Sequence, residues 1–291
     1  MHYTISNSKL SLTVDSMGAQ MLSLKTADGT EYLWQGDPAY WKDRAPVLFP
    51  WVGRLTDNSY LYNGTPYTMG IHGFAAASEF ICAETTEEQL TLQLCSTEKT
   101  LKQYPFRFCF EVIYTLSGRC VAVTYRVRNA GTETMFFGIG GHPGFRVPLT
   151  EDGCFEDYQL VFSEACQPDR VGFSKAVYLN GEDRPYSLEQ GKTLPLRHDL
   201  FDKDAIILKN MAREVTLRSD ASGRGVCVSY PDMPYLGIWH WPCTDAPYVC
   251  IEPWTSLPAR QDVVEEISCK SDLIRLAPGR TYENQWQIKV F

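Results

Sequence analysis

The chain has 291 residues, of which 44% are hydrophobic, 13% aromatic and 21% charged, a balance that supports a sizeable buried core and excludes disordered, collagenous and low-complexity chains. Lys and Arg total 27 against 35 Asp and Glu, for a formal charge of -8. Polyanion binders carry a basic excess, so neither nucleic acid nor an anionic membrane surface is an expected partner.

The opening MHYTISNSKLSLTVD has no basic segment followed by an apolar run, so no leader peptide is expected. Leu10, Leu12 and Val14 alternate with polar residues, the period-two signature of a half-buried strand. Asn63-Gly64 suits the type I′ turn of a hairpin. Leu90, Leu92 and Leu94 alternate again. Ser96 to Tyr104 reads as a short helix, capped by Ser96 or Thr97 and stopped by Pro105. From Phe106 through Phe108, Phe110, Val112 and Tyr114 to Leu116 the alternation is sustained, and it resumes at Val121, Val123, Tyr125 and Val127 after Ser117-Gly118. These two runs predict a long hairpin. Further strands are predicted around Tyr158, Leu160 and Phe162, around Val226, Val228 and Tyr230, and around Trp286, Ile288 and Val290. Residues 258–267 have room for a turn or two of helix. No helical pattern alternates with the strands, which disfavours a parallel sheet. No linker or repeat divides the chain, so one antiparallel β-sandwich-like domain over 1–291 is expected. No run of 18 apolar residues predicts a membrane span.

The ten cysteines show no C-x-x-C and no zinc-like Cys/His spacing. Cys109 in FRFCFEV and Cys227 in GVCVSY read as small buried hydrophobes. A reducing cytoplasmic compartment is expected, and with it no structural disulfide.

Five histidines narrow the search for chemistry. His72 in GIHGFA and His142 in GGHPGF are flanked by glycines, which permit positive φ or close backbone approach. Such a histidine is presented to a ligand or hydrogen-bonds a turn. In GIWHWP, Trp239 and Trp241 share one face of a strand and His240 the other, where it lines a site or faces solvent. Either Trp is a sugar platform or a core residue. His2 and His198 read as terminal and loop residues. Glu252 ends the apolar run YVCIEPW, where burial raises a carboxyl pKa; it is a general-base candidate, with a salt bridge as the bland alternative. Arg54 in LFPWVGRLTD stands where an apolar run meets a polar turn. Asp202 and Asp204 in LFDKDAIIL precede an apolar strand, and either can cap or bind a hydroxyl. No G-x-S-x-G, Walker A, G-x-G-x-x-G or H-E-x-x-H occurs.

Taken in order, APVLFPWVGRLTDNSYLYNGTPYTMGIHGFA, GIGGHPGF and YVCIEPW resemble the aldose 1-epimerase (galactose mutarotase) family, and most of all its bacterial LacX-like branch. The resemblance spans the whole chain and implies a large antiparallel β-supersandwich. It implies a mutarotase that interconverts hexose anomers without metal or other cofactor. His142 matches the general acid toward the ring oxygen and Glu252 the general base on the anomeric hydroxyl. His72 and Arg54 match sugar-binding residues. The family's substrate aspartate falls on Asp204, with Asp202 as the alternative, because Asp202-Lys203-Asp204 replaces the usual Asp-His-Asn. The Glu252 carboxylate is expected to help hold His142 protonated. Trp239 is taken as a substrate contact. The expected partner is a small sugar, bound by a monomer or homodimer. A related hexose-6-phosphate 1-epimerase would need extra cations, for which Lys42, Arg44 and Arg54 are candidates; a non-catalytic sugar binder is the third reading.

Overall fold

A computed structural model describes all residues, 1–291. Two large sheets carry the architecture, and every strand pair in them is antiparallel. The nine-stranded sheet runs, in spatial order, through Thr193–Pro195, Tyr158–Phe162, Glu214–Ser219, Gly225–Ser229, Thr281–Val290, Cys120–Asn129, Phe108–Ser117, Gln89–Cys95 and Ile81–Thr85. The eight-stranded sheet places Tyr248–Trp254 between Tyr235–Trp239 on one side and the short strands Gly140–Gly141 and Gly144–Arg146 on the other. Three N-terminal strands, His2–Ser6, Leu10–Asp15 and Met21–Thr26, form a separate small sheet. This is the large antiparallel all-β supersandwich that the resemblance implies.

The alternation read from the sequence is the packing pattern. Phe108, Phe110, Val112, Tyr114 and Leu116 are each at most 2% exposed. Opposite them, Val121, Val123, Tyr125 and Val127 are fully buried. Truncating one such side chain to Ala typically costs about 2–5 kcal/mol. The core phenols are hydrogen-bonded rather than stranded: Tyr104 donates to the Phe136 carbonyl at 2.7 Å and Tyr114 to the Ala19 carbonyl at 2.6 Å. One continuous cluster of 68 buried residues runs from Ile5 to Val290. No helix is long and apolar enough to cross a membrane.

Local expectations mostly agree. Asn63 and Gly64 have φ of 51° and 75°, both left-handed as a type I′ turn requires. The helix is one turn, Glu98–Leu101, capped by Thr97, whose side chain accepts from the Thr100 N–H in a reciprocal capping box. Three expectations are corrected: the helix at 258–267, the absence of a disulfide, and the burial of Cys109 and Cys227. Residues 258–267 form no helix. Their backbone N–H groups are committed far away, Ala259 to the Arg54 carbonyl, Gln261 to Leu179 and Ile267 to Leu61. Cys95 and Cys109 are joined by a disulfide, because the register sets them directly opposite on adjacent strands. Cys109 consequently faces outward, between the inward-pointing Phe108 and Phe110, and Cys227 is likewise only half-buried.

Candidate active site

Tyr248–Trp254 is buried at every position, so its one carboxylate, Glu252, enters the protein interior with the strand. Glu252 is 1% exposed. Its neighbour across the sheet is Gly237, and a Cβ at Gly237 would come to 3.2 Å from the Glu252 side chain. His142 sits between the two short strands on the other side and is fixed by its own N–H to the Pro46 carbonyl at 3.1 Å. A Cβ at Gly141 would lie 2.6 Å from the Trp286 ring, so only glycine lets this segment approach the core. The result is His142 Nε2 at 3.1 Å from Glu252 Oε2. The distance is that of a hydrogen bond, but the two groups are not aligned as one, and Oε2 has no other partner.

His72 arrives from a turn. Its φ is 63°, and that of Gly73 is 79°, where a Cβ would clash with the Phe49 carbonyl at 2.3 Å. The Gly53 N–H donates to His72 Nδ1 at 3.1 Å, which leaves the ring proton on Nε2. His72 therefore hydrogen-bonds a turn, and its ring also meets the His142 ring edge-on at 5.6 Å.

These groups line one cavity of about 590 Å³, within the usual range for small-molecule sites. Arg54, Asp204, Trp239, Trp241 and Trp254 line it too. Asp202 does not; it lies in an adjoining, more polar cavity of about 780 Å³ that contains neither His142 nor Glu252. Asp204 borders both cavities, with φ of 74° and its side chain accepting from the Ala205 N–H at 2.8 Å. Of the three cations considered for a phosphate, only Arg54 reaches the cavity. Arg44 is committed to the Leu22 carbonyl at 2.7 Å and to Gln35.

Burial dominates the electrostatics. It drives the His142 pKa well below 6.5, with His72 adding to the shift. It drives the Glu252 pKa well above 4.5, with Asp204 adding to that one. The expectation that Glu252 holds His142 protonated is therefore corrected. Burial disfavours the charged form of both partners, imidazolium and carboxylate alike. His72 is lowered to about 4, first by burial and then by Arg54.

His240 neither lines the cavity nor faces solvent. It is fully buried against Phe155 and Phe201. Its Nδ1 lies 2.8 Å from the Trp241 carbonyl and its Nε2 3.1 Å from His198 Nδ1. His198 stacks on Phe155 at 4.0 Å instead of lying free in a loop. His240→Ala is expected to cost about 1–3 kcal/mol in urea unfolding, the penalty for stranding its buried partners. Its kcat should stay within about threefold, well short of the 1.4 kcal/mol that a tenfold change represents.

Sequence reasoning missed Trp41. Its ring lies over His142 at 4.9 Å and meets Trp239 edge-on at 5.5 Å. The Trp34 indole N–H donates to the Trp41 carbonyl at 2.8 Å, which ties down the loop that carries it. The only local signal was the aromatic density of LWQGDPAYW.

The family model described as Aldose 1-epimerase covers residues 1–289. The chromosomal LacX protein of Lactococcus lactis subsp. lactis is 35% identical, over 100% of this chain and 99% of its own. A galactose mutarotase related enzyme from Lactobacillus acidophilus superposes with a TM-score of 0.95 at 34% identity, over 100% of this chain and 97% of its own. A galactose mutarotase-like protein from Lactobacillus casei ATCC 334 gives 0.93 at 31% identity, with both chains fully covered. The chain belongs to the aldose 1-epimerase family.

Proposed function

We propose that the protein is a mutarotase that interconverts the α and β anomers of a hexose, with His142 and Glu252 as its acid/base pair. One observation carries this reading: an imidazole and a carboxyl 3.1 Å apart that both line a cavity of sugar size. In the proposed reaction the Glu252 carboxylate takes the proton from O1 as the C1–O5 bond breaks, and His142 Nε2 gives its proton to O5. The open-chain aldehyde rotates about C1–C2. Closure on the other face returns the O5 proton to His142 and the Glu252 proton to O1. Arg54, His72 and Asp204 are assigned to sugar hydroxyls, and Trp239 to an apolar face of the ring.

The proton count supports these roles although burial disfavours both charges. Imidazolium with carboxylate and imidazole with carboxylic acid share the same one titratable proton, and at 3.1 Å a small reorientation would align the two groups to exchange it. Hydroxyls of a bound sugar replace lost hydration and favour the charged arrangement. A pH profile follows from this. Since the His142 pKa is lowered, the one-proton state survives below the ordinary 6.5. kcat/KM is expected to stay level from neutral pH down through 6.5 and to decline only at lower pH. An acid limb at or above 6.5 would contradict the assignment.

The activity is tested by polarimetry on freshly dissolved α-glucose and α-galactose, with α-glucose 6-phosphate as a third arm. Acceleration over buffer for a free sugar is the expected result. Acceleration only for the phosphate would indicate the 6-phosphate epimerase. The adjoining cavity carries four cations, Arg170, Lys175, Arg184 and Lys203, against three carboxylates, Glu182, Asp202 and Asp204, and Arg184 is already paired with Glu182 at 3.0 Å. Sugar binding without acceleration would indicate a binder, which has no use for an acid/base pair.

A further inference from the structure

Beside His142 and Glu252 lies a third side chain with a metal-binding atom that the proposed reaction does not use. Cys250 is two residues before Glu252 on the same strand, so the two side chains leave the same face. Across the sheet it pairs with Gly144, two residues beyond His142. Cys250 is a free, fully buried thiol. One ligand atom each from His142, Cys250 and Glu252 can be chosen so that all three lie within 4.8 Å of one another. We propose that these three residues form a binding site for one zinc ion, and that the ion switches the enzyme off.

Zinc bonds of about 2.0–2.3 Å set tetrahedral ligand atoms about 3.3–3.8 Å apart. The His142–Glu252 contact is already shorter, at 3.1 Å, so the trio needs only rotamer-scale adjustment. Glu252 Oε2 is buried without a hydrogen-bond partner, and a metal would satisfy it. Three protein ligands with one open position is the coordination of an accessible zinc centre. The open position falls toward the cavity, because His142 and Glu252 line it while Cys250 lies behind them among Trp34, Ala246 and Tyr248. A thiolate, an imidazole and a carboxylate select a borderline-soft ion such as zinc over magnesium or calcium, which prefer oxygen ligands. No local motif announces the site, since its histidine lies over 100 positions from the other two ligands.

Zinc would occupy the atoms that hold and pass the proton, so zinc and sugar exclude each other, and each weakens the other by the same factor. The inhibition rests on the mutarotase reading; the metal binding does not. The test begins without sugar. Full-length protein titrated with cobalt(II) is expected to develop a thiolate-to-metal charge-transfer band that saturates at one equivalent and is displaced by zinc. Cys250→Ala, smaller and still apolar, should lose the band and bind zinc at least about tenfold more weakly. Glu252→Gln should keep the band with weakened affinity, which serves as a second test if Cys250→Ala misfolds. Zinc should then stop mutarotation of α-galactose, with excess sugar relieving the block. The proposal is overturned if no band appears, or if the band persists in Cys250→Ala because exposed thiols such as Cys154 or Cys243 supply it. It is also overturned if turnover is unaffected at saturating zinc. A one-equivalent, Cys250-dependent band in a protein that accelerates no sugar would uphold the metal site while removing the mutarotase reading.

Discussion

Glu252→Gln is expected to lower kcat for mutarotation by at least about tenfold, measured polarimetrically with the uncatalysed rate subtracted. Positioned general bases typically contribute about 10²–10⁴-fold, and tenfold corresponds to about 1.4 kcal/mol of transition-state stabilisation. The amide keeps the size and shape of the carboxyl and loses only the ability to accept the O1 proton. The variant should fold well for a reason visible in the electrostatics. Burial raises the Glu252 pKa above 4.5, so the folded protein already holds this group protonated where the unfolded chain would ionise it. The folded state then binds the extra proton, and wild-type stability falls as pH rises above 4.5. Gln removes that dependence. The variant should therefore match or exceed wild type in thermal unfolding at neutral pH while losing turnover. Wild-type turnover in a folded Glu252→Gln protein would remove Glu252 from the mechanism.

His142→Ala is expected to produce a loss of similar size, again at least about tenfold in kcat. In the proposed mechanism the ring, 3.1 Å from Glu252, provides the proton that O5 needs as the C1–O5 bond breaks. His72 is no substitute, because its Nδ1 is occupied by the Gly53 N–H and its pKa is lowered to about 4. The double variant His142→Ala with Glu252→Gln should be little slower than the worse single variant, since two groups that move one proton act as a unit. Losses that multiply would indicate two independent catalytic contributions. A loss at His240 equal to that at His142 would mean that the reacting histidine had been misassigned.

Much of the fold was legible before any coordinate. Alternation in Phe108–Ser117 and Cys120–Asn129 reports one-sided burial, and a strand needs nothing more to declare itself. Asn63-Gly64 and the Thr97 cap are equally local, set by the backbone preferences of a few neighbouring residues. The cavity residues His72, His142, Glu252, Arg54 and Trp239 were all named from their sequence contexts, and the structure brings them to one cavity.

Where the reading failed, the deciding partner was remote. Residues 258–267 stay irregular because their N–H groups bond to Arg54, Leu179 and Leu61. The Cys95–Cys109 disulfide depends on register between two strands. Trp41, which the reading missed, covers His142 from a loop tied down by the Trp34 indole N–H. The sequence by itself determined the all-β class, the hairpins and which side chains had chemistry to offer, since these follow from near-neighbour sterics and one-face burial. Only the tertiary structure decided that His142, Cys250 and Glu252 meet, and that burial works against a charge on either His142 or Glu252. Both depend on antiparallel pairing of distant segments and on the sum of all surrounding atoms that exclude water from the site.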